Sequence, residues 1–171
     1  ICSATKQIVQ IRQVLAMLCG RYGAPVVVPP GHAPAFAFPT PERLAQCSET
    51  ELRECRMGFR APRVRNAAIE VASGRLRLDL LAHLPVASAR AALARLPGVG
   101  PKIADCVLLF SGAHVVAFPL DVWIRRALTQ FYFRRRKLSD KRLRAFAASH
   151  FGPWAGYAQQ YLFHYTRLYC R

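Results

Sequence analysis

The stretch LPGVGPKIADC, Leu96 to Cys106, places Gly98 and Gly100 on either side of Val99 and just before a proline. Ala87–Leu96 has a helical pattern and proline favours the start of a second helix, so the residues between them predict a tight helical hairpin. Glycines permit positive φ and leave backbone N–H groups uncovered beside a helix N-terminus, where a phosphate oxygen can bind. An ordinary helix–helix corner uses glycines in the same way, so both interpretations stay open.

A single lysine, Lys102, enters the otherwise apolar run that follows. The helix predicted over Pro101–Ser111 is apolar nearly all round and is expected to be buried. The i, i+3, i+4 spacing places Lys102, Asp105 and Cys106 on one face. A lysine in the first turn opposes the helix dipole, and partial burial disfavours its charge, so both effects favour a neutral, nucleophilic amine. A phosphate-binding or snorkelling lysine is the alternative.

The choice of lysine matters because the chain has 21 arginines and only four lysines. Arginine can clamp a phosphate, but it does not lose a proton and cannot serve as a nucleophile.

An aspartate follows in FPLDVW, Phe118 to Trp123. Asp121 is predicted to cap the next helix, which is the commonest structural role of such a residue. A carboxylate at a helix N-terminus also stays ionised, and it can activate an amine or stabilise a positively charged sugar.

The charge of the chain predicts a polyanionic partner. The formal net charge is +16 over 171 residues, and 53% of the residues are hydrophobic, which allows one core or two lobes that share a cleft. The basic residues are spread along the chain rather than gathered on one amphipathic helix, so nucleic acid is favoured over a membrane surface. A merely solvated basic surface is the alternative. The basic clusters are Arg53–Arg65, Arg75–Arg77, Arg125–Arg126, Arg134–Lys137 and Lys141–Arg144.

The six cysteines form no C-x-x-C pair, and their spacing fits neither a zinc site nor an iron–sulfur cluster. We therefore expect a reduced, intracellular protein without a metal or other cofactor. The N-terminal residues lack the pattern of a signal peptide, and Ile1 is expected to lie inside a longer protein.

Apolar residues recur at helical spacing almost everywhere, which predicts an all-α protein of about nine helices. Thr40 and Ser48 are expected to cap helices, the latter in a capping box with Glu51. Ala24–Pro41 is predicted to be a proline-rich connector, and residues 115–118 resemble a strand without a visible partner. The predicted helices are Cys2–Leu18, 41 onward, 48–56, Ala61–Ser73, Leu78–Leu84, Ala87–Leu96, Pro101–Ser111, Asp121–Phe133, Ser139–Phe151 and Pro153–Cys170.

LPGVGPKIADC, FPLDVW and GPWAGYAQQYLF together resemble the helix-hairpin-helix DNA glycosylase superfamily. ICSATKQIVQI and MGFRAPRV extend the likeness over nearly the whole chain and are most similar to the 8-oxoguanine DNA glycosylase/AP lyase branch. The resemblance implies one helical glycosylase domain over 1–171, with two lobes and an active-site cleft between them. Its parts are the hairpin motif at about 87–112, a catalytic aspartate loop at 117–123 and a base-recognition helix at 153–170.

The resemblance also implies a role for each site residue. Lys102 attacks the sugar C1′ and forms a Schiff base, and Asp121 assists the attack and stabilises the oxocarbenium-like state. Gln159 hydrogen-bonds the flipped base, with Phe163 and Cys106 on its two faces. Without the resemblance, Gln159 and Phe163 fit an ordinary core-facing helix surface.

The chain departs from the family at the implied DNA contacts. Thr5 stands where the family has the asparagine that fills the gap left by the flipped base, and Gln10 replaces an arginine that reads the opposite cytosine. Phe59 replaces the wedging tyrosine, while Arg60 is kept. Trp123 replaces a phosphate-contacting histidine. The family's N-terminal β-rich domain is not among these 171 residues, as is expected if the chain is a fragment of a longer protein.

The resemblance, together with the motifs and the charge, implies a monomeric base-excision repair enzyme, without metal, that removes 8-oxoguanine from duplex DNA and cleaves the resulting site by β-elimination. Two alternatives stay open: an alkylpurine glycosylase of the same fold, and a non-catalytic DNA-binding module. The expected location is the cytoplasm and nucleoid of a bacterium or the nucleus of a eukaryote.

Overall fold

The computed structural model describes residues 1–169, and α-helices dominate that part of the chain. Its nine α-helices confirm the all-α prediction. They are α1 Ile8–Tyr22, α2 Pro41–Gln46, α3 Glu49–Leu52, α4 Ala61–Ala72, α5 Val86–Ala94, α6 Pro101–Phe110, α7 Val122–Phe131, α8 Asp140–Phe151 and α9 Ala155–Tyr169. None of the helices within residues 1–169 is both long and apolar enough to cross a membrane.

The first of two compact units comprises Ile1–Leu78 and Leu96–Gly98. Helices α1 to α4 pack around one apolar core. The helix predicted over 48–56 is regular only as α3, because the segment Arg53–Met57 that leads on towards α4 is kinked and Cys55 and Arg56 leave helical φ/ψ. The predicted caps form here: Thr40 accepts a hydrogen bond from the Arg43 amide, and Ser48 and Glu51 make the reciprocal capping box. The core side chains are Val14, Leu18, Leu44, Cys47, Leu52, Cys55, Met57, Ala61, Val64 and Ala68.

The connector predicted over Ala24–Pro41 contains a short sheet. Strands β1, Pro25–Val26, and β2, Ala35–Phe36, pair antiparallel, with Pro25 opposite Phe36. Sequence periodicity does not reveal two-residue strands, because each is shorter than one alternation of facing side chains.

Three further predicted elements differ in the structure. Helix α1 begins at Ile8 rather than Cys2, because residues 2–5 form a turn in which Thr5 has φ 54°. The predicted helix Leu78–Leu84 is reduced to one 3₁₀ turn, Leu81–His83. Residues 115–118 form no strand, and Cys170, the last residue of the final predicted helix, lies outside the described residues.

The second unit comprises Asp79–Arg95 and the chain from Val99 onward. Helices α7, α8 and α9 contribute to a common apolar core, together with the segment that leads into α7. Ser139 caps α8 through its hydroxyl, as the predicted start of that helix requires. The buried core side chains are Phe118, Leu120, Ile124, Leu128, Leu143, Ala147 and Ala155.

Gly156 sets how closely α9 approaches the residues before α7. Its N–H donates to the Val115 carbonyl at 3.0 Å, and a Cβ would lie 2.3 Å from that oxygen and 2.4 Å from Leu109 Cδ1. Real Cβ atoms do not approach other atoms this closely, so a side chain here would push α9 away. The approach places the first turns of α9 beside the loop that carries Asp121.

Candidate active site

Five residues predicted to act together line one pocket of the second unit: Lys102, Cys106, Asp121, Gln159 and Phe163. Helix α6 supplies the first two, the α7 N-terminus supplies Asp121, and α9 supplies the last two. The pocket has a volume of about 120 Å³. An amine, a carboxylate, a thiol, an amide and an aromatic ring therefore meet in one small space.

Lys102 is the second residue of α6, and its side chain is exposed. The expected burial of this helix is wrong on one side, because Val107 and Phe110 are also exposed. Only the opposite side, including Ala104 and Leu108, is fully buried. Lys102 is therefore not desolvated by burial as expected, although it does lie in the first turn of the helix.

Asp105 does not share the pocket with Lys102 and Cys106, contrary to the predicted common face. Its side chain is completely buried, and Oδ1 accepts a hydrogen bond from Arg90 Nε at 2.7 Å. Oδ2 accepts another from Arg144. Two guanidinium groups, from α5 and α8, stabilise this carboxylate in the interior. Asp105 thus ties three helices together, including the one that carries Lys102.

Burial raises the pKa of the Cys106 thiol. The nearby Lys102 ammonium lowers it, whereas the carboxylates of Asp105 and Asp121 raise it. The raised pKa keeps the thiol protonated and neutral near pH 7. Cys106 therefore presents a small, polarizable and uncharged wall beside the amine.

Asp121 caps α7 as predicted. Its Oδ1 accepts a hydrogen bond from the Ile124 N–H at 2.8 Å. Its other carboxylate oxygen, Oδ2, makes no hydrogen bond within residues 1–169. One oxygen thus fixes the side chain while the other keeps its hydrogen-bonding capacity. Trp123, two residues later, is half-buried and does not line the pocket.

Gln159 is 3% exposed, and both ends of its amide have protein partners. Nε2 donates to the Pro119 carbonyl at 3.1 Å, and Oε1 accepts a hydrogen bond from Gln160. Phe163, one turn further along α9, is half-buried and packs against the core of this unit. A ligand that hydrogen-bonds Gln159 must therefore replace one of these partners.

Three further residues line the pocket and were not predicted: Phe110, Pro119 and Gln160. Phe110 continues the i, i+4, i+8 stripe of Lys102 and Cys106, so the spacing of α6 held a signal for it. Its side chain is 66% exposed, so Phe110 lines the mouth of the pocket. Nothing in the sequence pattern marks Pro119 or Gln160.

Three of the predicted DNA-contacting residues, Thr5, Phe59 and Arg60, belong to the first unit. Arg60 is 5% exposed, and its guanidinium donates to the Ala4 carbonyl through Nε at 2.8 Å and to Thr5 Oγ1 at 2.6 Å. The same guanidinium lies over the Phe59 ring, 4.2 Å from its centroid. Phe59 is 51% exposed, so its aromatic ring faces solvent beside an arginine whose guanidinium is held by hydrogen bonds.

In the hairpin, only one of the two predicted glycines uses positive φ. Gly98 has φ 84°, whereas Gly100, which precedes α6, has φ −87°. A Cβ on Gly98 would lie 2.5 Å from Arg63 Cδ, while nothing lies within 4 Å of one on Gly100. Val99 between them is buried. No side chain caps α6, so its first amides are free to bind an anion.

Gly98→Ala is expected to lower the free energy of unfolding by at least about 1–2 kcal/mol, because alanine resists positive φ and its Cβ displaces Arg63. Gly100→Ala, which has neither obstacle, should change it by less than about 0.5 kcal/mol. Urea denaturation of the two variants measures the difference. Equal stability of the two would show that the hairpin does not depend on the Gly98 conformation.

Comparison with known proteins places these features in a family. A model of the HhH-GPD superfamily base excision DNA repair protein matches residues 1–152. A probable N-glycosylase/DNA lyase of Methanothermobacter thermautotrophicus is 37% identical over 120 residues, which are 70% of this chain and 38% of that protein.

Two solved structures are similar over almost the whole chain. The structure of MBOgg1 with a low-affinity DNA ligand superposes with TM-score 0.93 at 35% identity, covering 99% of this chain and 58% of that one. Clostridium acetobutylicum 8-oxoguanine glycosylase/lyase, bound to double-stranded DNA with cytosine opposite 8-oxoguanine, gives TM-score 0.89 at 32% identity, covering 97% and 56%.

The present chain thus spans less than two thirds of the length of these relatives. The family match nevertheless covers most of the chain, and the resemblance seen in the sequence motifs is confirmed. The chain belongs to the HhH-GPD superfamily of base excision DNA repair proteins.

Proposed function

We propose that this chain is the helical catalytic part of a DNA N-glycosylase with AP-lyase activity, which excises 8-oxoguanine from duplex DNA. The observation that carries the proposal is the convergence of Lys102, Asp121, Cys106, Gln159 and Phe163 on one pocket. The relatives named N-glycosylase/DNA lyase and 8-oxoguanine glycosylase/lyase support the reaction type. The chain acts without a metal in this proposal, because a lysine supplies the nucleophile.

In the proposed reaction, the Lys102 amine forms a bond to C1′ while the glycosidic bond breaks and its electron pair leaves with the base. The Asp121 carboxylate stabilises the positive charge that develops on the sugar. The nitrogen of the resulting N,O-acetal gives one proton to the released base anion. The C1′–O4′ bond then breaks as a C1′=N bond forms, and O4′ takes the second nitrogen proton, which leaves a Schiff base. Removal of a C2′ proton finally expels the 3′ phosphate and cleaves the strand.

A flipped base would occupy the pocket between Phe163 and Cys106, with its edge on Gln159. The pocket volume, about 120 Å³, is below the roughly 300–1,000 Å³ of typical ligand sites. Entry of a purine therefore requires movement at the rim, where exposed Phe110 and half-buried Gln160 lie. When Gln160 turns away, Gln159 Oε1 becomes available to a base N–H group.

The hairpin amides, with Gly98, Val99 and Gly100 as backbone donors, are proposed to hold a DNA phosphate. Phe59 is proposed to wedge into the base stack beside the lesion. Arg60 already donates to Ala4 and Thr5, so we expect only a weak dependence on the base opposite 8-oxoguanine. Trp123 presents no cation, and its phosphate contact is expected to be weak.

A panel of damaged duplexes tests the proposal. The chain is incubated with DNA containing 8-oxoguanine opposite each normal base, with an alkylated purine and with undamaged guanine, and both base release and strand cleavage are measured. Release of 8-oxoguanine with strand cleavage is expected. Release of alkylpurine without cleavage would instead identify an alkylpurine glycosylase. DNA binding without base release would leave only a binding module and overturn the proposal.

A further inference from the structure

A second, strongly basic depression lies along α7, apart from the candidate active site. We call it the α7 groove; it has a volume of about 460 Å³ and five cationic lining residues: Arg125, Arg126, Arg135, Arg136 and Lys137. It shares no lining residue with the candidate active-site pocket. Its apolar lining includes Val122, which directly follows Asp121 in the chain.

Backbone hydrogen bonds hold the turn that supplies three of these cations. The Arg135 N–H donates to the Thr129 carbonyl at 2.7 Å, and the Arg136 N–H donates to the Phe133 carbonyl at 2.9 Å. Arg134 and Arg135 have φ of 45° and 62°, a conformation that non-glycine residues rarely adopt. Such backbone persists only where surrounding contacts enforce it, and it is concentrated at functional sites. The turn thus fixes the backbone that carries these cations next to Thr129 of α7.

Only one of the five cations has an acidic partner within the described part of the chain. Arg125 forms an ion pair with Asp140, the first residue of α8. The other four, Arg126, Arg135, Arg136 and Lys137, form no ion pair there. Cations crowded into one groove repel each other, and an anion with several charges at regular spacing relieves this repulsion.

We propose that the α7 groove binds consecutive phosphates of the DNA backbone, at a contact separate from the active-site pocket. This inference rests on the proposed function for its choice of DNA as the polyanion. Its chemistry is that of phosphodiester recognition: guanidinium groups donate to phosphate oxygens, and exposed Val122 offers an apolar surface to a sugar. Since such contacts read no bases, the groove adds affinity without adding damage specificity.

The test compares two double variants that lose the same charge. Arg135→Gln/Arg136→Gln removes two groove cations, and Lys141→Gln/Arg142→Gln removes two exposed cations of α8 outside the groove. Binding to a short undamaged duplex is measured by fluorescence anisotropy at several salt concentrations. The groove variant should reduce the slope of log K against log salt by about 1.8, or about 0.9 per phosphate contact. Its affinity should fall at least about tenfold near 0.1 M salt.

The control variant should leave the slope nearly unchanged, and an equal change in both variants would overturn the proposal. An unchanged slope in the groove variant would overturn it as well. Arg126→Gln changes a groove residue on α7 and leaves the turn intact, so it should reproduce about half of the slope change. It tests the groove even if substitutions in the turn disturb the backbone there. If the wild-type chain releases no damaged base while the groove effect persists, the proposed function fails and the DNA-binding groove stands.

Discussion

Lys102→Gln is expected to abolish covalent trapping of the chain on DNA. Borohydride reduces a Schiff base to a stable secondary amine, so a lysine nucleophile becomes cross-linked to duplexes that contain 8-oxoguanine or an abasic site. Glutamine removes the amine but keeps a polar side chain of similar length at this exposed position of α6. DNA affinity should fall by no more than about tenfold, the scale of one phosphate contact, because the hairpin amides and arginines remain.

Lys141→Gln provides the matched control, since it removes another exposed lysine amine by the same substitution. Trapping of this variant should equal that of the wild type when both are assayed by denaturing gel electrophoresis. If Lys102→Gln were trapped without loss, the Schiff base would have to form on another amine, such as Lys6, Lys137 or the chain terminus. Peptide mapping of the reduced adduct identifies which amine reacted.

The surroundings of Lys102 support this expectation, although the Lys102 side chain itself is exposed. The raised pKa of Cys106 keeps its thiol neutral, so it does not form a thiolate–ammonium pair with the lysine. The carboxylate of Asp105, three residues after Lys102 on the same helix, pairs with Arg90 and Arg144 rather than with the lysine. Asp121 is therefore the carboxylate that lines the same pocket as the amine.

Local sequence signals predicted the helix ends well where a side chain interacts with its own neighbourhood. The caps at Thr40, Ser48 and Asp121 form as expected, because each involves an amide only three residues away. The pairing of β1 with β2 was not predictable in this way. It depends on residues nine and eleven positions apart within a proline-rich segment, whose composition favours irregular structure.

Helical periodicity predicted which positions share a helix, but not which side of the helix meets solvent. On α6, the apolar residues Val107 and Phe110 gave no sign that their side would be exposed. Asp105 is the opposite case, a charged residue that is buried although its position on the helix gave no sign of it. Its partners Arg90 and Arg144 lie 15 and 39 residues away, so only the tertiary fold reveals a buried carboxylate between two arginines.

The prediction of the candidate site depended on residue chemistry and on the family resemblance. Residue chemistry singled out Lys102 and Asp121, while Gln159 and Phe163 were chosen only through the family resemblance. The structure places all four along one pocket and adds Gln160, whose hydrogen bond to Gln159 has no sequence signature. That contact matters because it occupies the amide proposed to read the base.

Asp121→Asn is expected to separate the structural role of this residue from its catalytic one. Asparagine is as good an N-cap as aspartate, and its side-chain oxygen can accept the same hydrogen bond from the Ile124 N–H. The free energy of unfolding should therefore change by less than about 1 kcal/mol in urea denaturation. The negative charge that is proposed to face the reacting sugar is lost, however, and single-turnover excision should slow by at least about 100-fold.

Asp121→Ser serves as a second variant, because serine also caps helices but carries neither a carboxylate nor an amide. Both variants should be similarly slow and similarly stable, which would assign the lost rate to the missing charge rather than to the shape of asparagine. Asp140→Asn is the matched control: it removes an aspartate charge at the N-terminus of α8, where the carboxylate pairs with exposed Arg125. Its excision rate should stay close to wild type. If Asp121→Asn also retained a near-wild-type rate, the residue would be a helix cap only, and the charge that stabilises the sugar would have to come from elsewhere.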